Sequence, residues 1–358
     1  MKTMASLTAP TSAPAASERR YLDHGAPLWR RILMTREMAI IALLLVVIIV
    51  ASALVPRFGT TVTMSFLLLD VAPILLIALP MTCVIVTGEI DLSVASMVGL
   101  SSVLFGTMFQ AGASIPVAAL VAVLAGVIGG TINGLLVTAV GLPSLAVTIG
   151  TLALYRGLAV GLLGTTAVTS FPRYWTRLAK EKIGDTGIPI IMILFVILAV
   201  AFAVLLHFTP FGRGIYAIGL SAEAALFSGT KVGRTKLILF VLTGTISALA
   251  GVYYTLRFGS SRGDNATGME LQVIAAVLLG GVSIFGGRGA LHGVIAGVLL
   301  IGVLASALRL ANITSDVINI ITGVLLVLSV VTSSLLAWVQ KKRVKPGGAR
   351  SGRAAAAS

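Results

Sequence analysis

Ten stretches of chain, each close to 20 residues long and nearly free of charge, dominate this sequence. A helix of about 20 apolar residues crosses the ~30 Å hydrocarbon core of a bilayer. The stretches fall near 38–55, 62–86, 94–110, 115–139, 144–163, 188–207, 236–256, 270–286, 289–308 and 315–338. Within lipid every backbone polar group must be satisfied internally, so such runs fold as helices or not at all. The expectation is an all-α polytopic membrane protein of about ten spans. Composition agrees: 57% of residues are hydrophobic and only 11% charged, whereas soluble domains carry about 25% charged residues.

The formal net charge of +14 would suggest nucleic acid in a soluble chain. Here it reports topology, because Lys and Arg gather on the cytoplasmic side of membrane proteins. With ten spans, one side collects 17 of the 26 basic residues. These are six in the N-terminal tail, four around the 208–235 segment (Arg213, Lys231, Arg234 and Lys236), Arg288, and six after Gln340. The other side collects eight, and Arg156 is left inside a span. Both termini are therefore expected in the cytoplasm. The expected divisions are a basic tail over 1–36, a membrane domain over 37–340 with a cytoplasmic segment at 208–235, and a second tail over 341–358. Residues 1–27 are rich in Ala, Ser, Thr and Pro and read as disordered. No apolar core precedes Met38, so no cleavable signal peptide is expected. Cys83 is the only cysteine, which excludes an internal disulfide.

Between the second and third runs stands Thr87-Gly88-Glu89-Ile90-Asp91-Leu92-Ser93. A carboxylate facing hydrocarbon costs several kcal/mol, so these acids must meet water, a cavity or a partner. Two readings follow: a membrane-surface turn with solvated acids, or a break lining a transport path. Asp70, Arg156 and Glu270 raise the same question. Arg156 lies about 18 Å along the fifth span; pairing with Asp70 or Glu270 is one expectation, snorkelling outward another. His207 and His292 stand near span ends, and no cluster has metal-ligand spacing. Gly126, Gly130 and Gly134, like Gly293 and Gly297, follow the four-residue spacing that lets helix backbones approach closely. Asp91-Leu92-Ser93-Val94 and Glu270-Leu271-Gln272-Val273 lie 179 residues apart, as do Asn133 and Asn312. An odd number of intervening spans makes this an inverted repeat, the arrangement that commonly frames a substrate path.

The 208–235 segment carries a second signal. Ser221 is placed to cap a helix, Glu223 sits in its first turn where negative charge suits the dipole, and Gly229 stops it. A short capped helix displayed between two spans suits docking into another protein's groove. Its alanines and Glu223 make a poor lipid face.

Glu223-Ala224-Ala225 followed by Gly229 resembles the first half of the cytoplasmic motif by which ABC importer permeases engage their ATPases. Thr87–Ser93, Gly141-Leu142-Pro143-Ser144, Thr148–Leu152 with Tyr155-Arg156-Gly157, and Leu279–Gly287 are similar to the ribose-type permeases, and more distantly to branched-chain amino acid permeases. Two departures stand out. Glu89 replaces the glycine more usual in ribose permeases, and the hydrophobic-proline half of the cytoplasmic motif is not matched after Gly229. The Glu89 variant, with Phe258-Gly259-Ser260-Ser261-Arg262, looks most like permeases for rhamnose or the furanosyl signal autoinducer-2.

This resemblance implies a type II ABC importer permease fold and no enzymatic activity. It implies cytoplasmic ATP-binding subunits, a second permease subunit, and a periplasmic or lipid-anchored sugar-binding protein as partners in a bacterial inner membrane, with no cofactor. It places coupling to the ATPase at Arg213, Ser221, Glu223, Ala224, Ala225 and Gly229. Path candidates are Asp70, Glu89, Asp91, Arg156 and Glu270. The chain has no Gly-Lys pair and so lacks a phosphate-binding loop of the Gly-x-x-x-x-Gly-Lys type. The rival is an ion-coupled secondary transporter using Asp70, Glu89 and Asp91. A channel and a membrane enzyme complete the alternatives, but no acid, base and nucleophile group argues for the enzyme.

Overall fold

The computed structural model describes residues 36–314, together with 316–321, 323–325, 327 and 331. Among them the chain is helical, with no strand beyond two isolated bridges, Val168–Ser261 and Lys182–Pro189. The helices are α1 (Arg36–Leu54), α2 (Thr61–Val86), α3 (Val94–Gln110), α4 (Ile115–Thr138), α5 (Ser144–Leu163), α6 (Arg173–Leu178), α7 (Ile191–Phe208), α8 (Pro210–Leu220), α9 (Ala222–Phe227), α10 (Val232–Phe258), α11 (Met269–Leu279) and α12 (Leu291–Leu310). Seven of these, α1, α2, α4, α5, α7, α10 and α12, are long and apolar enough to cross a membrane. The shorter α3 and α11 are apolar too, and helix resumes at Asp316. This is a polytopic membrane protein. Both expected tails, and most of the expected span 315–338, lie outside the described residues.

One expected span is not a continuous helix. Only Met269–Leu279 of 270–286 is helical, and 11 residues rise about 16 Å, half a bilayer core. Five glycines between Gly280 and Gly289 account for the stop, since each costs about 1 kcal/mol against alanine in a helix. Hydropathy counts glycine as nearly neutral, which is why the run looked unbroken.

Similar composition leads to different destinations. α2 is apolar on every face and almost wholly buried from Val71 to Val86, packed by α7, α10, α11 and α12. α1 and α7 are equally apolar but mostly exposed, with Ile49 and Ile197 turned outward. All-round hydrophobicity marks either a buried core helix or a membrane span; α2 is both. The 179-residue repeat appears as an exchange of partners. α2 packs on α11 and α12, while its counterpart α10 packs on α3 and α4.

The glycine spacings are used for close approach. A methyl at Gly126 would strike Gly244 and Ala248, and one at Gly130 the Phe240 carbonyl. Across the interface, a methyl at Gly244 would fall 2.9 Å from Gly130 Cα. In the other half, Gly293 and Gly297 of α12 abut the Gly280 and Ala276 carbonyls. Gly150 of α5 has nothing within 4 Å of its missing methyl. Accordingly, Gly244→Ala should destabilise the detergent-solubilised protein by about 1–3 kcal/mol through overpacking. Gly150→Ala should be neutral or stabilising by up to about 1 kcal/mol. Paired thermal melts monitored by size-exclusion fluorescence test this; equal melting of the two variants would refute the close α4–α10 contact.

Candidate coupling and translocation site

α2 ends at Val86 and α3 begins at Val94, and the break between them is held by side chains from three helices. Asp91 is 1% exposed, and its carboxylate accepts hydrogen bonds from the Ser93 amide (2.9 Å) and hydroxyl (2.6 Å). Ser93 Oγ accepts in turn from Asn133 Nδ2 of α4 at 2.8 Å. The Ile90 amide donates to Ser144 Oγ, and Thr148 Oγ1 donates to the Ile90 carbonyl, both at 3.3 Å, tying the break to the start of α5. The first reading of these acids as solvated at a surface turn is therefore wrong for Asp91. Its carboxylate organises the turn into α3, as a buried charge must when hydrogen bonds replace water.

Glu89, two residues earlier, forms an ion pair with Lys236 at the start of α10. At the far end of α10 Arg257 pairs with Asp70, in the first half of α2, and Asp70 pairs also with Arg309 of α12 at 3.0 Å. Arg257 is 7% exposed and lies 5.0 Å from the Phe258 ring centroid. Lys236 and Arg257 are separated by about 32 Å of helix, close to the ~30 Å hydrocarbon core. α10 is thus held by opposite charges near both its ends, to Asp70 within α2 and to Glu89 in the turn after it.

Arg156 pairs with neither Asp70 nor Glu270, contrary to one expectation. Its guanidinium donates to the carbonyls of Gly263 (2.7 Å) and Asn265 (2.8 Å), and to Ala95 at 3.3 Å. Gly99 makes room for it, since a methyl there would collide with Nη1. Arg156 therefore pins the 259–268 loop to α3 and α5. Carbonyls suffice because a rigid fork with five donors matches several acceptors at once. Glu270 is half-buried in the first turn of α11, within electrostatic reach of Arg156. Ser102 completes the clamp: its hydroxyl accepts from Thr255 (2.6 Å) and Asn265 Nδ2 (2.9 Å), and its carbonyl accepts from Ser261 (2.8 Å).

Beside this loop opens a cavity of about 450 Å³, lined among others by Asp70, Tyr254, Asn265, Gln272 and Arg309. A smaller one of about 110 Å³ shares Asp70, Ile74, Gln272 and Arg309 with it and continues between α2, α11 and α12. The sequence offered no signal for Arg257, Arg309 or Lys236 as partners of the acids, because their pairing spans 147 to 239 residues of chain.

At the opposite end lie α8 and α9. Ser221 Oγ accepts from the Ala224 amide at 3.2 Å, and Gly229 adopts φ +87°, so both expected caps of α9 are in place. Glu223, Ala224, Leu226 and Phe227 are exposed, Phe227 at 84%, while Ala225 is buried. The preceding residues fold as α8, capped by Thr209 and with Arg213 exposed. Gly219 near the end of α8 abuts the Val86 carbonyl and Gly287, and the Gly287 amide donates to that same carbonyl at 2.8 Å. Tyr216 of α8 donates to the Gly289 carbonyl at 2.7 Å. The end of α2, the end of α8 and the glycine-rich loop after α11 meet at one point.

The acids of the ion-coupled alternative do not gather. About 24 Å of helix separates Asp70 from Val86, where the Glu89–Asp91 turn begins, and Asp70 and Glu89 are each neutralised by the chain's own cations. No group of three His, Cys, Asp or Glu among the described residues is placed to hold a metal ion.

Residues 63–330 match the family described as the permease component of the branched-chain amino acid transport system. Among curated proteins the chain is similar to the autoinducer 2 import system permease protein LsrD of Escherichia coli O157:H7, at 37% identity over 84% of this chain and 92% of the relative. LsrD of Escherichia coli K12 and of Shigella flexneri are each 36% identical over the same shares. No solved structure matches the chain.

Two outcomes follow from the ion pairs and the clamp. Asp70→Asn leaves Arg257 buried without a counter-charge and should cost about 1–3 kcal/mol, less than a fully buried pair because Asp70 is partly solvated. Adding Arg257→Gln should restore part of that loss in thermal melts; no recovery in the double variant would mean the pair is not coupled. Arg156→Ala should speed amide exchange of residues 260–268 in hydrogen–deuterium exchange while leaving α9 unchanged. Unaltered exchange there would show that the loop does not depend on the guanidinium.

Proposed function

We propose that this chain, which belongs to the branched-chain amino acid transport permease family of ABC importers, is the permease subunit that carries a monosaccharide-like solute across a bacterial cytoplasmic membrane. The observation that carries the mechanism is the meeting of α8, α2 and the post-α11 loop at Gly219, Val86 and Gly287. The similar LsrD permeases belong to an autoinducer 2 import system, which favours a furanose-like or deoxyhexose solute over an amino acid. The chain itself hydrolyses nothing. Separate ATP-binding subunits supply the energy, a second permease subunit completes the channel, and a sugar-binding protein delivers the solute. Both termini and the α8–α9 segment face the cytoplasm, in keeping with the bias of basic residues.

In this reading α9 is the handle. Its exposed Leu226 and Phe227 enter a groove on the ATPase, and Glu223 sets the orientation. Force on α9 reaches α8 directly, and α8 bears on the end of α2 through Gly219, where a side chain would hold the backbones apart. The end of α2 carries the break and Glu89. Closure of the ATPases thus acts at the Glu89–Lys236 pair, while the Asp70–Arg257 pair holds the other end. Opening one pair while the other stays closed exposes the interior to one side at a time, a two-state rearrangement of packed helices. Arg213, exposed beside α9, contributes to the same docking face.

Glu223→Lys should leave folding and assembly intact and reduce ATP-driven uptake at least tenfold in proteoliposomes holding the complete importer. Uptake at the unaltered rate would remove α9 as the handle. Solute accumulation by the chain alone on a proton or sodium gradient would overturn the importer reading itself.

A further inference from the structure

We propose that the groove between α6, α7 and α10 binds one anionic phospholipid, with an acyl chain in the groove and the phosphate held by the basic face of α6. None of these residues serves in the transport mechanism above. The groove comes from an imbalance in helix packing. α7 packs on α2 and α8, and the space left between it and α10 is a cavity of about 420 Å³. Its lining is apolar or aromatic throughout, with Trp175 and Leu178 from α6, Ile193 and Ile197 from α7, and Val252 and Tyr253 from α10. The Tyr253 hydroxyl is already given to the Leu69 carbonyl at 3.3 Å, so the groove offers water no anchor, and apolar cavities stay dry. Ile193 and Ile197 are also exposed on the outer face of a spanning helix, so the groove opens onto hydrocarbon. Its rim is preformed. Backbone bonds of 2.8 Å from Ile183 to Ile188 and from Ile190 to Glu181 close the α6–α7 loop, and Ser65 of α2 donates to the Gly187 carbonyl.

The charge on α6 selects the lipid. Arg173, Arg177 and Lys180 recur at helical spacing on one face and are all exposed, whereas Trp175, Leu178 and Ala179 turn to the groove. A basic face opposite an aromatic and aliphatic one marks a helix lying among headgroups. Lys182, beside the Lys182–Pro189 bridge, adds a fourth cation. Among the described residues none of the four forms an ion pair, whereas Arg257, Arg262 and Arg309 each hold an acid. Two exposed acids nearby, Glu181 and Asp185, do not match four cations. Topology does not account for the cluster either. The groove lies at the Arg257 end of α10, away from Lys236 and α9, on the side that basic residues avoid. A lipid phosphate at the rim supplies the missing counter-charge. A span from another subunit would fill the groove and leave the cations unpaired. An acidic protein would meet the cations and leave the groove empty. A lipid with a negative headgroup satisfies both.

Tryptophan quenching tests this in the full-length protein reconstituted in phosphatidylcholine bilayers. The chain has three tryptophans, so Trp29→Phe with Trp338→Phe leaves Trp175, in the groove wall, as the reporter. Brominated phosphatidylglycerol and brominated phosphatidylcholine are compared at equal mole fraction, since bromine quenches only on contact. The phosphatidylglycerol should associate about fivefold more strongly at Trp175. Arg177→Gln with Lys180→Gln should abolish that preference while quenching by the phosphatidylcholine persists. Leu249→Phe, which narrows the groove from α10, should weaken quenching by both lipids. Equal quenching by the two lipids, or a preference that survives loss of the two cations, would overturn the site. Quenching unchanged by Leu249→Phe would place the acyl chain outside the groove and overturn it as well. Loss of the preference on adding soluble poly-L-glutamate at physiological salt would give the cations to an acidic protein instead.

Discussion

Two ion pairs, Asp70–Arg257 and Glu89–Lys236, tie α10 near both its ends to α2 and to the turn that follows it. A lone charge at these depths costs several kcal/mol, so each member is tolerable only while its partner is in reach. This sets the lateral position and the register of the two most central helices. The remaining elements are arranged around them: α11 and α12 on α2, α3 and α4 on α10. Such pairs contribute less to net stability than to uniqueness, because desolvation offsets much of their attraction. In a transporter that balance is useful. An interaction nearly neutral in free energy can be exchanged for another with little cost.

Close backbone approach does the complementary work. In lipid no hydrophobic force draws helices together, so packing must come from van der Waals contact. The Gly126, Gly130 and Gly244 surface makes α4 and α10 one unit, and Gly293 and Gly297 do the same for α12 and α11. The Gly219–Val86–Gly287 junction uses the same chemistry for a different end. It lets α8 touch the end of α2 directly, through backbone rather than through flexible side chains. Rigid contacts of this kind have few intermediate arrangements, which favours switching over gradual yielding.

The polar residues of the breaks are mainly structural. Asp91, Ser93, Asn133, Ser144 and Thr148 satisfy the irregular backbone between α2 and α3. Arg156, Ser102 and Asn265 do so for the 259–268 loop. Irregular backbone within a membrane protein is tolerated only where protein or water supplies hydrogen bonds, and these side chains are that supply. The hydrogen-bonding capacity of Asp91 and Arg156 is thus taken up largely within the chain.

The sequence by itself determined the helical membrane architecture, the positions of most long helices, the capped α9, and the glycine faces, because each depends on residues within a few turns of one another. Hydropathy, caps and four-residue spacing are local properties. Local signals also misled at 270–286, where glycines end α11 inside an apolar run. Only the tertiary structure decided which charges meet. Asp70 finds Arg257 and Arg309, Glu89 finds Lys236, and Arg156 turns to backbone carbonyls rather than to an acid. A buried charge requires a partner, but the requirement names no residue. The choice among partners more than a hundred residues away is made by which helices pack together, and that packing is a property of the whole assembly of spans.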